Sequence, residues 1–191
     1  MTLTRRSPLR SVVATVSRAL TRHGIRGVLT GGACASLHAR GEYLSHDLDY
    51  ILEGAVTRRQ LDAAMGSVGF ARTGAAYLHR ETPFLVEFPA GPLAIGDDDL
   101  VKPVELRVGR ARVPALSATD SCRDRLAAFY HWRDLQSLRV AVAIARHQPI
   151  DLSAIQSWSA REGHEEGFRR FQQELEESAR LRPLRRLARR T

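Results

Sequence analysis

Gly31-Gly32-Ala33-Cys34-Ala35-Ser36-Leu37-His38-Ala39-Arg40-Gly41-Glu42-Tyr43-Leu44-Ser45-His46-Asp47-Leu48-Asp49-Tyr50-Ile51-Leu52 is the stretch whose reading decides the fold. A glycine pair stands at the end of the apolar run Gly27-Val28-Leu29-Thr30, small residues suited to one or two helical turns follow, and two aspartates alternate with apolar residues at the close. Side chains of an extended strand alternate between faces, so Asp47 and Asp49 share one face, with Leu48 and Ile51 expected on the core side. Two carboxylates about 7 Å apart on one strand face repel unless a positive charge sits between them. A divalent cation answers that need. A strand leading into a Gly-Gly turn and a helix start offers backbone N–H groups to an anion, and the next strand offers carboxylates to a metal. Singly, a glycine pair is an ordinary turn and Asp-x-Asp an ordinary solvated pair; in this order they read as a metal–nucleotide site.

Outward from that stretch, Leu9, Val12, Val13, Val16 and Leu20 recur at helical spacing, and Gly24 ends the pattern. Ala33–Ala39 is expected as a short helix, and Thr57 as the N-cap of a helix through Met65. Residues 70–73, 76–79 and 83–88 read as consecutive strands, and 104–108 with 111–115 as a hairpin around Gly109-Arg110. In Phe84-Leu85-Val86-Glu87-Phe88 a single carboxylate interrupts an apolar strand, where an unpaired buried charge is costly. Glu87 is therefore at an exposed edge, in a buried ion pair, or a metal ligand beside Asp47 and Asp49. From Thr119 or Asp120, as helix caps, the pattern turns helical, breaks near Trp132, stops at Pro149, and resumes around Leu152-Ile155-Trp158 and Phe168-Phe171-Leu175. Trp132 and Trp158 are assigned to core or interface, His131 to packing or capping, and Asp97-Asp98-Asp99 to a hydrated loop tip.

The fold class expected is α/β (α+β), a small mixed sheet with helices followed by a helical subdomain. The divisions are 1–117, 118–177 and a basic tail, 178–191. With 43% hydrophobic residues and no apolar run near 18 residues, the 191-residue chain reads as soluble and without a membrane span. No signal peptide is expected at the start. The two cysteines, Cys34 and Cys122, form no Cys-x-x-Cys pattern, which argues against zinc and a disulfide framework and for a cytoplasmic setting. Of the net charge of +8, most lies in the tail, where Arg180, Arg182, Arg185, Arg186, Arg189 and Arg190 stand without an acid. Such a tail is either a footprint for nucleic-acid phosphates or a solvated terminus.

Leu29-Thr30-Gly31-Gly32-Ala33 followed by Ser45-His46-Asp47-Leu48-Asp49, with Val86-Glu87-Phe88 as a third acid on a later strand, resembles the minimal nucleotidyltransferases of the DNA polymerase β superfamily. Within it, the pattern is similar to bacterial toxins of the AbiEii and MenT kind, in which a Ser or Thr stands two residues before the first aspartate, as Ser45 does here. Arg123-Asp124-Arg125-Leu126 and Trp132-Arg133-Asp134-Leu135 resemble two helical segments of those toxins. The resemblance implies a polymerase-β-like core in which Asp47 and Asp49 bind the Mg²⁺ that carries a nucleoside triphosphate. It also implies that Asp49 and Glu87 hold or deprotonate the acceptor hydroxyl near a second metal, and that Gly31, Gly32, Ser45, Arg125 and Asp134 contact the nucleotide. Arg125 stands where the toxins have lysine. Read from the residues alone, Asp124, Arg125 and Asp134 equally suit charge pairing on a helix surface. The implied partners are a nucleoside triphosphate, an RNA acceptor such as a tRNA 3′ end, and an antitoxin protein. The alternatives are a small acceptor such as an aminoglycoside, a protein hydroxyl, or an inactive nucleic-acid-binding scaffold.

Overall fold

The computed structural model describes residues 2–187. The elements run α1 (Leu9–Arg22), β1 (Arg26–Thr30), α2 (Gly31–His38), β2 (Asp47–Glu53), α3 (Arg58–Gly66), β3 (Phe70–Thr73), β4 (Ala76–His79), β5 (Leu85–Glu87), β6 (Val104–Val108), β7 (Ala111–Ala115), α4 (Ala118–Trp132), α5 (Leu135–His147), α6 (Leu152–Arg161) and α7 (Glu165–Leu187). The strands form one mixed sheet in the order β3-β4-β5-β2-β1-β7-β6. β1 runs parallel to β7 and β2 parallel to β5, and the remaining neighbours are antiparallel. The α/β class with a mixed sheet is the one expected.

The glycine pair does not form a separate turn. Thr30 is extended and Gly31, at φ +59°, makes the corner alone, so α2 begins at Gly31 and not at Ala33. On β2, Tyr50 and not Ile51 shares the buried face of Leu48, because a period of two returns Ile51 to the side of the aspartates. The Tyr50 hydroxyl pairs with Ser17 Oγ at 2.9 Å, so α1 covers this face. α2 lies against the other.

Thr57 caps α3 in a reciprocal capping box with Gln60. The cap of α4 is Ser117, two residues before Thr119 and three before Asp120, and its Oγ accepts the Asp120 N–H at 3.0 Å. The break after Trp132 occurs at Arg133, which takes a left-handed conformation (φ +53°), and Asp134 then caps α5. Trp158 is buried, with the Arg123 guanidinium 5.0 Å above its ring and its Nε1–H donated to Ile95 C=O at 3.3 Å. Asp98 is ion-paired with buried Arg123, so one member of the expected hydrated tip is an anchor. Of the core or interface expected for the two tryptophans, Trp158 is in the core, and Trp132 is 77% exposed at the last residue of α4. The basic stretch 178–191 enters α7 as far as Leu187, and Arg189, Arg190 and Thr191 lie outside the described residues. No helix among the described residues is long and apolar enough to cross a membrane.

Candidate active site

The sheet register assembles the acids. Asp49 sits opposite Thr30 on β1 and opposite Glu87 on β5, while Asp47 pairs with Leu85. Directly paired residues face the same side of a sheet, so Asp47, Asp49 and Glu87 share one face. β5 lies between β4 and β2, so Glu87 is not on an edge strand, and among the described residues it has no ion-pair partner.

The glycine pair lies against these acids. A methyl group on Gly31 would overlap the Asp49 carboxylate, and one on Gly32 would come within 2.6 Å of Ser45 Oγ and 3.2 Å of the Tyr43 hydroxyl. Ser45 is held on both sides. Its N–H donates to Ser36 Oγ at 2.9 Å, Ser36 Oγ donates to Gly32 C=O at 2.8 Å, and Ser45 Oγ accepts the Asp47 N–H at 3.2 Å. The start of α2 and the start of β2 are thus one hydrogen-bonded unit.

α4 closes the site from the other side. Small residues of α2 let it sit close, and Cys34 Sγ (3.6 Å) and His38 Nε2 (3.1 Å) both reach the Leu116 carbonyl just before α4 begins. Arg125 donates to Asp124 through Nη2 (2.7 Å) and Nε (3.0 Å), and its side chain is only 18% exposed. Burial, then Glu87, Asp47 and Asp124, push the Asp49 carboxyl up to about 6, against the opposing pull of Arg125. Asp124 is the residue sequence reasoning left out of the site, since an acid beside an arginine reads as surface pairing until α4 is placed over β2. Asp134 caps α5. Its carboxylate accepts the Ser137 hydroxyl (2.7 Å) and the Gln136 N–H (2.9 Å), and these bonds, the Ser137 one first, hold it below the usual carboxylate range. Residues 40–46 form the loop beside Gly32, pinned where Glu42 meets Arg146 (2.9 Å) and His147 (2.7 Å). His46 is exposed and lies by Phe84, ring centroids 5.3 Å apart, just before β2 begins.

Among the described residues no group of three or more His, Cys, Asp or Glu side chains converges into a ready-made metal cage. Asp47 and Asp49 are hard oxygen donors in a crowd of negative charge, and Mg²⁺ is commonly held by one or two carboxylates plus substrate phosphates. The donor set fits that ion.

Among solved structures, the chain is similar to an antigenic nucleotidyltransferase-like protein from Paracoccidioides brasiliensis, with 18% identity and a TM-score of 0.53 over 74% of this chain and 77% of that one. The fold is of the nucleotidyltransferase type. The antibiotic-resistance factor ANT(2'')-Ia, solved in solution, also matches, with 14% identity and a TM-score of 0.49 over 81% of this chain and 95% of that one. No family model and no curated protein matches the sequence.

Proposed function

We propose that this chain is an Mg²⁺-dependent nucleotidyltransferase that moves a nucleoside monophosphate from a nucleoside triphosphate to a hydroxyl acceptor. The observation that carries this reading is the register that sets Asp49 against Glu87, with Asp47 on the same face and the start of α2 packed against them. Asp47 and Asp49 would hold Mg²⁺, which when bound supplies charge neutralisation for a triphosphate. The N–H groups at Gly31 and Gly32 face the phosphates at the helix start, where partial positive charge concentrates. Ser45 keeps Asp47 and the glycine corner in register, and Arg125, held by Asp124, adds fixed positive charge beside Asp49. Glu87, with Asp49, orients the acceptor hydroxyl and takes its proton.

The acceptor in this reading is RNA, with a tRNA 3′ end as the specific candidate, and the biological setting is a cytoplasmic toxin countered by an antitoxin. The net charge of +8 and the arginine-rich C-terminal stretch support it. A small acceptor such as an aminoglycoside is the second reading, with a cavity of about 460 Å³ beside Tyr43, lined by Glu42, Glu174 and Glu177 together with Arg139 and Arg146, as the place it would occupy. The test is incubation with each α-³²P-labelled nucleoside triphosphate, Mg²⁺ and total RNA, beside the Asp47→Ala/Asp49→Ala double variant. Label in RNA with the wild type alone supports the RNA reading. Label in small molecules moves the acceptor to the cavity, and no transfer to any acceptor overturns the enzyme.

A further inference from the structure

Among the described residues Trp132 is the most exposed large hydrophobic side chain after Leu100, at 77%, and it closes a helix whose other end of the same stripe enters the candidate active site. Residues three and four apart share a helix face, so Arg125, Ala128 and Trp132 form one row on α4. Arg125 lies in the field of Asp49, Ala128 is small and half-buried, and Trp132 stands in solvent. Seven residues of α-helix place Trp132 about 10 Å from Arg125. That is the reach of about three stacked nucleotides at 3.4 Å each.

The surroundings of the indole are those of a platform. His131 meets it edge-on, with ring centroids 6.1 Å apart, and is itself braced by His164 at 5.2 Å. Arg133, exposed in a left-handed conformation, follows directly, and Leu135 is 55% exposed one residue past the cap. An open aromatic face beside a basic residue is how proteins bind single-stranded nucleic acid without reading its sequence, the ring stacking on a base and positive charge tracking the backbone.

We infer that Trp132 is a stacking platform for a base of a single-stranded RNA acceptor, a few nucleotides back from the hydroxyl that reacts. The inference rests on the nucleotidyltransferase reading above and adds to it where the acceptor strand lies. Openness favours a strand over the incoming nucleotide: a base delivered with the triphosphate needs a walled slot, whereas Trp132 offers a ledge along which a chain can continue.

Trp132 and Trp158 are the chain's two tryptophans, and Trp158 is 1% exposed, so a change in emission from added polymer reports on Trp132. The experiment titrates short single-stranded oligoadenylate, and separately each nucleoside triphosphate with Mg²⁺, into the wild type, Trp132→Ala, Trp132→Phe and Asp47→Ala/Asp49→Ala. Oligonucleotide affinity is read by anisotropy and the acceptor KM from label transfer. The platform predicts quenching by the oligonucleotide in the wild type and in the double aspartate variant. It also predicts roughly 5- to 100-fold weaker binding in Trp132→Ala and near-complete rescue in Trp132→Phe. Unchanged affinity in Trp132→Ala, or no response of emission to RNA, overturns it. Quenching by triphosphate alone assigns the ring to the incoming base and likewise overturns it. If RNA stacks on Trp132 but no label is ever transferred, the enzyme reading fails and the platform stands. If label is transferred with an unchanged acceptor KM in Trp132→Ala, the platform fails and the enzyme stands.

Discussion

Replacing Gly31 by alanine separates the close approach at the site from ordinary backbone strain. Gly31 has φ +59°, and a β-carbon there would overlap the Asp49 carboxylate. The left-handed conformation alone costs an alanine about 1–2 kcal/mol. Displacing a packed side chain adds about 1–3 kcal/mol. Gly74 is the matched control, since its φ is +62° and a β-carbon there meets nothing within 4 Å. For a chain of 191 residues, each kcal/mol shifts Tm by roughly 2–4 °C. Gly74→Ala is expected to lower Tm by a few degrees, and Gly31→Ala by a further 3–10 °C or so. Urea melts should show the same difference in midpoint with an unchanged slope. Gly31→Ala should also abolish triphosphate binding, while Gly74→Ala leaves it intact. Equal destabilisation by the two substitutions would show that Asp49 does not pack on Gly31, and the geometry of the site would be refuted.

Asp49 carries a destabilising charge, because burial and the neighbouring acids raise its carboxyl from 3.8 to about 6. Between those values the folded protein keeps a proton that the unfolded chain releases, so this group lowers stability as pH rises across that window. Asp49→Asn should therefore raise stability at pH 7, by at most about 3 kcal/mol, and change little at pH 4. Denaturant melts at the two pH values check this, and a less stable variant at pH 7 would contradict it. Breaking the buried Arg123 pairs should be severe: Asp98→Ala leaves the guanidinium short of a partner, at a cost of about 3–5 kcal/mol. Exposed Asp99→Ala should lie within about 0.5 kcal/mol of wild type by the same melts. Ser36→Ala orphans the Ser45 N–H and should cost about 1–3 kcal/mol, together with a loss of triphosphate affinity measured by calorimetry. Burial pushes the Cys34 thiol up to about 12 and raises that of Cys122 as well, so neither should react with iodoacetamide until the protein is unfolded in guanidinium.

Local chemistry made some elements legible and left others hidden. β3, β4, β6 and β7 appear where short apolar runs and glycine turns set them, and Thr57 caps α3 because Gln60 completes its box. Glu87 stood out in sequence because a lone charge in an apolar strand demands an explanation, and the register with Asp49 gives its surroundings. The role of Asp98 was not legible. Three aspartates at a loop tip look alike in sequence, and only the arrival of Arg123 from α4 distinguishes the middle one. Asp124 was hidden for the same reason, since its nearness to Asp49 depends on how closely α2 lets α4 approach. Which tryptophan is core was not legible, because helical periodicity tells which residues share a face but not which of them another layer covers; Trp158 is buried and Trp132 exposed. At the Gly-Gly corner, a single left-handed residue did what a two-residue turn was expected to do.

The central claim is that Asp47 and Asp49 form a magnesium-dependent triphosphate site, and calorimetric titration of nucleoside triphosphates with and without Mg²⁺ tests it most directly. The account predicts binding by the wild type only when Mg²⁺ is present, and loss of that binding in Asp47→Ala/Asp49→Ala with the fold intact by circular dichroism. Equal binding by the double variant, or none by the wild type under either condition, would contradict it.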